Sequence, residues 1–125
     1  MHLASAPRQQ VVAEDVATAV NTMVTGTYNL LEASKAVGVE KFVFISSSMV
    51  YGDFDYPVHE HALCNPKSTY GILKLTGEQL VKASGLDYAI VRPSAVYGPR
   101  DVTGRAISKF FDCALTNKPL KVNGA

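Results

Sequence analysis

Hydrophobic positions recur along this chain with two different periods. From Val11 to Val37, residues Val16, Val20, Met23, Val24, Thr27, Leu30, Leu31 and Ser34 follow helical spacing. The spacing predicts one long helix or a broken pair, with Gly38 placed to end it. Phe42-Val43-Phe44-Ile45 is instead a short, unbroken apolar run rich in β-branched and aromatic residues. It predicts a strand buried on both faces in a parallel sheet, ending in Ser46-Ser47-Ser48. Residues 49–67 hold Gly52, Pro57 and Pro66 among polar residues and predict a loop. Ser68 or a neighbour opens the next helix, which carries Tyr70, Leu73, Lys74, Leu80 and Val81 and ends at Gly85. Asp87 to Val91 predicts a second buried strand, followed by a loop through Pro93 and Pro99. A further helix from about Thr103 to Leu115 and a strand beginning at Leu120-Lys121-Val122 complete the pattern.

Helix and strand alternate in the manner of an α/β fold with a parallel sheet. Two strands make a poor sheet, however, and both of its edges stay open. The expectation from topology is an internal part of something larger.

Composition narrows the function. The chain has 125 residues, 47% hydrophobic and 18% charged, with a net charge of +1. That suits about one globular domain. Without a basic block there is no electrostatic footprint for nucleic acid. No apolar run approaches the roughly 18 residues of a membrane span. Cys64 and Cys113 make neither a disulfide framework nor a metal knuckle, and no signal segment is visible, so the expected location is the cytoplasm.

The polar residues at the strand end and on the following helix suggest a chemistry. Ser46, Ser47 and Ser48 stand at the C-terminal end of a strand, where open α/β sheets bind ligands. Tyr70 and Lys74 are four apart, so they project from one helix face. A phenol titrates near 10 and is a poor base at neutral pH, but a neighbouring ammonium favours its phenolate. A serine hydroxyl opposite could hold the substrate oxygen while its proton moves. Such a set oxidises an alcohol when a hydride acceptor lies beside the carbon. Taken alone, a Tyr-x-x-x-Lys pair is more often a half-buried tyrosine with a solvated lysine, and a serine run is more often loop polarity.

The order of the motifs decides between these. His2-Leu3-Ala4-Ser5, Gly26-Thr27-Tyr28-Asn29-Leu30-Leu31-Glu32-Ala33, Phe44-Ile45-Ser46-Ser47-Ser48-Met49-Val50-Tyr51-Gly52, Tyr70-Gly71-Ile72-Leu73-Lys74 and Arg92-Pro93 through Tyr97-Gly98-Pro99 occur in that sequence. Together they resemble the NAD-dependent epimerase/dehydratase family of extended short-chain dehydrogenases, over essentially the whole chain. The resemblance implies a partial Rossmann-like, three-layer α/β domain, with residues 1–125 as its central part. It makes Ser47 the catalytic serine, four residues before Tyr51, Tyr70 the base, and Lys74 its partner and the ligand of the nicotinamide ribose. Leu3, Ala4 and Ser5 would border the cofactor, NAD with NADP also open, and Pro93 and Ser94 would lie near the nicotinamide. Tyr51 and Tyr97 would be loop anchors. The implied substrate is a nucleotide sugar, the implied partner a second copy, and no metal is called for.

Departures from the family pattern choose among its members. Dehydratases of the family carry acidic residues where this chain has Ser48 and Met49, and a methionine moves no proton. A 4-epimerase of the UDP-glucose type is therefore expected, ahead of a 4,6-dehydratase or a sugar reductase or dehydrogenase. Met23 stands where the family has Asn, and Ala95 replaces the Asn of its Arg-Pro loop. None of the nine glycines falls in a dinucleotide-binding Gly-rich spacing. The chain is thus expected to be a fragment, with Met1 an internal methionine. The alternative from another class is a non-catalytic remnant that binds a partner through its open sheet edges. His59-Glu60-His61 suggests metal, but two His at i, i+2 share no helix face, and a solvated loop is the expectation. No Gly-x-Ser-x-Gly elbow supports a serine hydrolase.

Overall fold

The computed structural model describes residues 1–6, 8–53, 57–98 and 104–120. They form two compact units, Met1–Ser94 and Ala95–Ala125.

In the first unit the long apolar pattern yields both of the expected forms at once. Helix α1 (Gln9–Glu14) stops at Asp15, whose non-helical backbone breaks the run and whose side chain caps α2 (Val16–Val20) by accepting from the Thr18 amide at 3.0 Å. From there the helix is continuous through a π-helical turn (Asn21–Thr25) into α3 (Gly26–Ala36), and Gly38 follows with φ 68°. The π turn carries wider i→i+5 bonding, seen in the Gly26 amide donating to the Asn21 carbonyl.

Strand β1 (Phe42–Ile45) lies parallel to β2 (Tyr88–Val91), with Phe44 opposite Ile90. An isolated bridge, unexpected from the pattern, pairs His2 in parallel with Phe44 on the other side of β1. This places β1 in the middle, as its apolar run demands. The reading of β2 as a buried strand is corrected: Tyr88 is 40% and Val91 45% exposed. No strand pairs with its outer edge among the described residues, and its side chains are at most half-buried.

Helix α4 (Thr69–Ala83) begins at Ser68, whose hydroxyl accepts from the Gly71 amide at 3.2 Å. It packs with α3 on one face of the sheet, burying Leu31, Phe42, Phe44 and Val81 together. A second apolar cluster of Val12, Ala19, Met23 and Leu73 joins the long helix to the start of α4. The opposite sheet face, with Val43 and Ile45, is only half-buried, so two of the three expected layers are present among the described residues.

Gly77 explains how close α4 can come. A methyl group there would sit 2.5 Å from the Phe44 ring, so only glycine admits this helix–strand approach. Gly71 does the same at the helix start, where a side chain would meet the Met49 carbonyl at 2.6 Å.

The second unit contains α5 (Ala106–Leu115), shorter at its start than the sequence suggests. Arg105 precedes it and donates to the Val96 carbonyl at 2.9 Å. The expected strand at Leu120-Lys121-Val122 falls at Lys121 and Val122 outside the described residues, and Leu120 itself is in no element. Among the described residues no helix is long and apolar enough to cross a membrane.

Candidate active site

Three elements converge beyond the C-terminal end of β1. The strand delivers its serines alternately to its two faces. Ser46 continues the Phe42–Phe44 face and is buried against α4, where its hydroxyl donates to Glu78 Oε1 at 2.5 Å. Ser47 points the other way and caps the short 3₁₀ turn Ser48–Val50, its Oγ accepting from the Met49 amide at 3.2 Å. The two adjacent hydroxyls are therefore not equivalent: Ser46 is consumed by a buried carboxylate, while Ser47 sits beyond the C-terminal end of β1, the end at which open α/β sheets bind ligands.

Helix α4 presents Tyr70, Lys74 and Glu78 at successive turns. Tyr70 is half-buried, and the Lys74 ammonium lies 5.8 Å from the centre of its ring. Contrary to the solvated lysine of an ordinary surface pair, Lys74 is 5% exposed. Its Nζ donates to the Ile45 carbonyl at 2.8 Å and stands 5.6 Å from the Phe44 ring centre. Burial lowers its pKa from 10.5 to about 8, so the ammonium still predominates at neutral pH.

Of the residues expected beside the cofactor, Ala4 and Ser5 line a narrow crevice with Met23, Thr27, Leu73 and Lys74. Leu3 does not share it; it is 67% exposed and lines a separate hollow with Leu30 and Ser34. The Pro93 carbonyl accepts from the Ser48 amide at 2.9 Å, which brings the loop after β2 against the serine turn, and Ser94 follows on the surface.

Two buried polar groups escaped the sequence reading. His2 bonds Thr27 through Nε2 at 3.0 Å. Because Thr27 Oγ1 donates to the Met23 carbonyl at 2.7 Å, the assigned tautomer carries the proton on Nε2. Burial, the Lys74 charge and the chain's amino group all lower the His2 pKa. Glu78, fully buried, takes a bidentate pair from Arg92, Nε to Oε1 at 2.8 Å and Nη2 to Oε2 at 2.6 Å. Arg92 Nη1 donates to the Tyr51 hydroxyl at 2.8 Å and the Glu60 carbonyl at 2.9 Å, with the guanidinium over the Tyr51 ring. Burial would raise the Glu78 pKa, but Arg92, Ser46 and Lys82 together bring it below the ordinary value. An acid eight residues after a tyrosine in an apolar helix stripe was the available signal.

Tyr51 thus has the anchoring contacts expected of it, whereas Tyr97 is 58% exposed. His59-Glu60-His61 gathers no metal site among the described residues.

The NAD dependent epimerase/dehydratase family model matches residues 1–125. The chain belongs to this family. It is 34% identical over 129 residues to the UDP-glucuronate 4-epimerase of Thermodesulfobacterium geofontis, covering 99% of this chain and 40% of that protein. Among solved structures, UDP-glucuronic acid 4-epimerase from Bacillus cereus, in complex with UDP-glucuronic acid and NAD, superposes with a TM-score of 0.79. Identity there is 36%, over 99% of this chain and 41% of that one. RMD from Pseudomonas aeruginosa, complexed with NADPH, gives a TM-score of 0.76 at 31% identity, over 86% of this chain and 39% of that one. The chain thus spans about two fifths of the length of these relatives, and the two-strand sheet with its bridge is part of their Rossmann fold.

Proposed function

We propose that this chain is the central part of the NAD-binding domain of a nucleotide-sugar 4-epimerase. The observation that carries the reading is the buried Lys74 ammonium beside Tyr70, at the end of the strand that presents Ser47. A cation taken out of water with a backbone carbonyl accepting from it is costly to keep, and a proton-transfer role accounts for it.

Tyr70, as phenolate, takes the proton of the sugar hydroxyl. Lys74 stabilises that phenolate, and Ser47 holds the same oxygen by donating a hydrogen bond. NAD, when bound, supplies the acceptor for the hydride and the donor that returns it. Tyr70 then gives the proton back to the oxygen once the carbon has been reduced from its other face. The residues present suit the nicotinamide-ribose end of the cofactor: Lys74 is a buried donor, Ala4 and Ser5 flank it, and the Pro93–Ser94 turn lies by the serines. Leu3, being exposed, would border the cofactor only from the outside. NAD is the proposed form and NADP is the second candidate.

Met49, half-exposed beside Ser47, supports epimerisation over dehydration, since it can neither donate nor accept a proton. We further read the intact enzyme as a cytoplasmic homodimer. The exposed apolar side chains of Val16, Val20, Tyr28 and Ile72 on the helical layer support that pairing.

The test is to supply the full-length protein with NAD and UDP-glucose or UDP-glucuronate and follow the sugar by NMR. The C4 epimer is the expected product. A 4-keto-6-deoxy sugar would make it a dehydratase, net change in the cofactor a dehydrogenase, and no conversion of any nucleotide sugar would overturn the reading.

A further inference from the structure

Helix α4 carries two buried charges of opposite sign one turn apart, Lys74 and Glu78. At i, i+4 such side chains are within reach of one another and ordinarily pair. Here they do not. Both Glu78 oxygens face Arg92, which enters from the end of β2, and Oε1 also accepts from Ser46 at the end of β1. The remaining charged neighbour of Glu78, Lys82, is 3.9 Å away and half-exposed. Lys74 turns instead to the Ile45 carbonyl, with the His2 imidazole, the Phe44 ring and Tyr70 around it, and Met23 and Thr27 across the crevice.

We propose that Arg92 is a positioning residue for the proton transfer: by holding both oxygens of Glu78 it withholds that carboxylate from Lys74, leaving the ammonium uncancelled beside Tyr70. The inference rests on reading Tyr70 and Lys74 as the proton-transfer pair. Its physical content is a competition. A carboxylate paired with Lys74 would cancel the charge that makes the Tyr70 phenolate accessible, and would draw Nζ off Ile45 toward the middle of α4. Arg92 is suited to prevent this because its planar fork matches both carboxylate oxygens at once, which a lysine cannot do. Tyr51 and the Glu60 carbonyl in turn hold the other end of the guanidinium. The loop over the strand end therefore helps to set the charge state seen by Tyr70.

The experiment compares Arg92→Met, Arg92→Lys and the double variant Arg92→Met with Glu78→Gln in the full-length protein, through pH profiles of kcat and through KM. Labelled-lysine NMR titration of Lys74 gives a readout independent of turnover. For Arg92→Met we expect the acid limb of the kcat profile to move up by about one pH unit, a loss of about ten-fold at neutral pH. KM should change little and the Lys74 titration should move upward. Glu78→Gln in the same background removes the competing charge and should restore both limb and titration. Arg92→Lys, which keeps the site filled if the methionine variant does not fold, should show a smaller shift in the same direction.

A folded Arg92→Met or Arg92→Lys variant with an unmoved limb and an unmoved Lys74 titration would overturn the proposal, as would a double variant that fails to restore them. Tyr70→Phe separates this from the underlying reading. If it leaves turnover intact, Tyr70 is not the base. If it abolishes turnover while the Arg92 variants behave as wild type, only the role of Arg92 fails.

Discussion

Two buried charges on one helix have opposite fates. Glu78 is held by Arg92 and Ser46, and its charge is satisfied three ways within 2.8 Å. Lys74 has the Ile45 carbonyl and two aromatic faces, and its pKa falls to about 8. The difference teaches how a structural charge is told from a functional one. A charge that only braces the fold is fully compensated, since leaving it otherwise is costly. A charge kept under-compensated, as Lys74 is, is where a functional role is proposed.

Breaking the satisfied end should cost most. Arg92→Met takes the bidentate partner from buried Glu78, which a turn toward Lys74 replaces only in part, and we expect a loss of about 3 kcal/mol of stability. Denaturant titration at neutral pH measures it. A loss below about 1 kcal/mol would mean that Arg92 is not what compensates the buried Glu78 charge.

The under-compensated end should announce itself through pH. Below about pH 8 the lysine is protonated in both folded and unfolded chains, and the fold bears the cost of burying the charge. Between about 8 and 10.5 the folded state gives up the proton while the unfolded state keeps it. Stability should therefore rise with pH across that window, by about 3 kcal/mol at most. The rise should vanish in Lys74→Met, which denaturation midpoints at pH 7.5 and 10.5 would reveal. An unchanged slope in the variant would mean that another group titrates.

Smaller effects sharpen the role of α4 as the common frame. Gly77→Ala forces a methyl into the Phe44 ring and should cost about 1–3 kcal/mol. Ser68→Ala removes the cap at the helix start and should cost about 1 kcal/mol. Both are read from thermal or chemical unfolding, and equal costs would argue against the close approach at Gly77.

Much of this arrangement was legible in the sequence because it is local. The apolar run of β1, the Ser68 start of α4 and the four-residue spacing of Tyr70 and Lys74 each depend on near neighbours. The order of five motifs added the family. Non-local features stayed hidden. His2 pairs across space with Phe44 and Thr27, 25 residues from the latter, and nothing near His2 in the chain signals it. Arg92 and Glu78 are 14 apart on different elements, and their pairing depends on how β2 enters beside α4. The burial of β2 was overread because its run resembles that of β1, while a strand's burial is set by its neighbours in the sheet. The distinction between Ser46 and Ser47 followed from the family pattern, and the alternation of the strand supplies its physical reason: one hydroxyl faces Glu78, the other caps the turn at the sheet's end.

Tyr70 is proposed to move the proton, assisted by Lys74. The most direct measurement is single-turnover kinetics of Tyr70→Phe in the full-length protein, with NAD binding followed separately. We expect a chemical step slowed by about 10²–10⁴-fold with NAD affinity retained. A chemical step at the wild-type rate would contradict it.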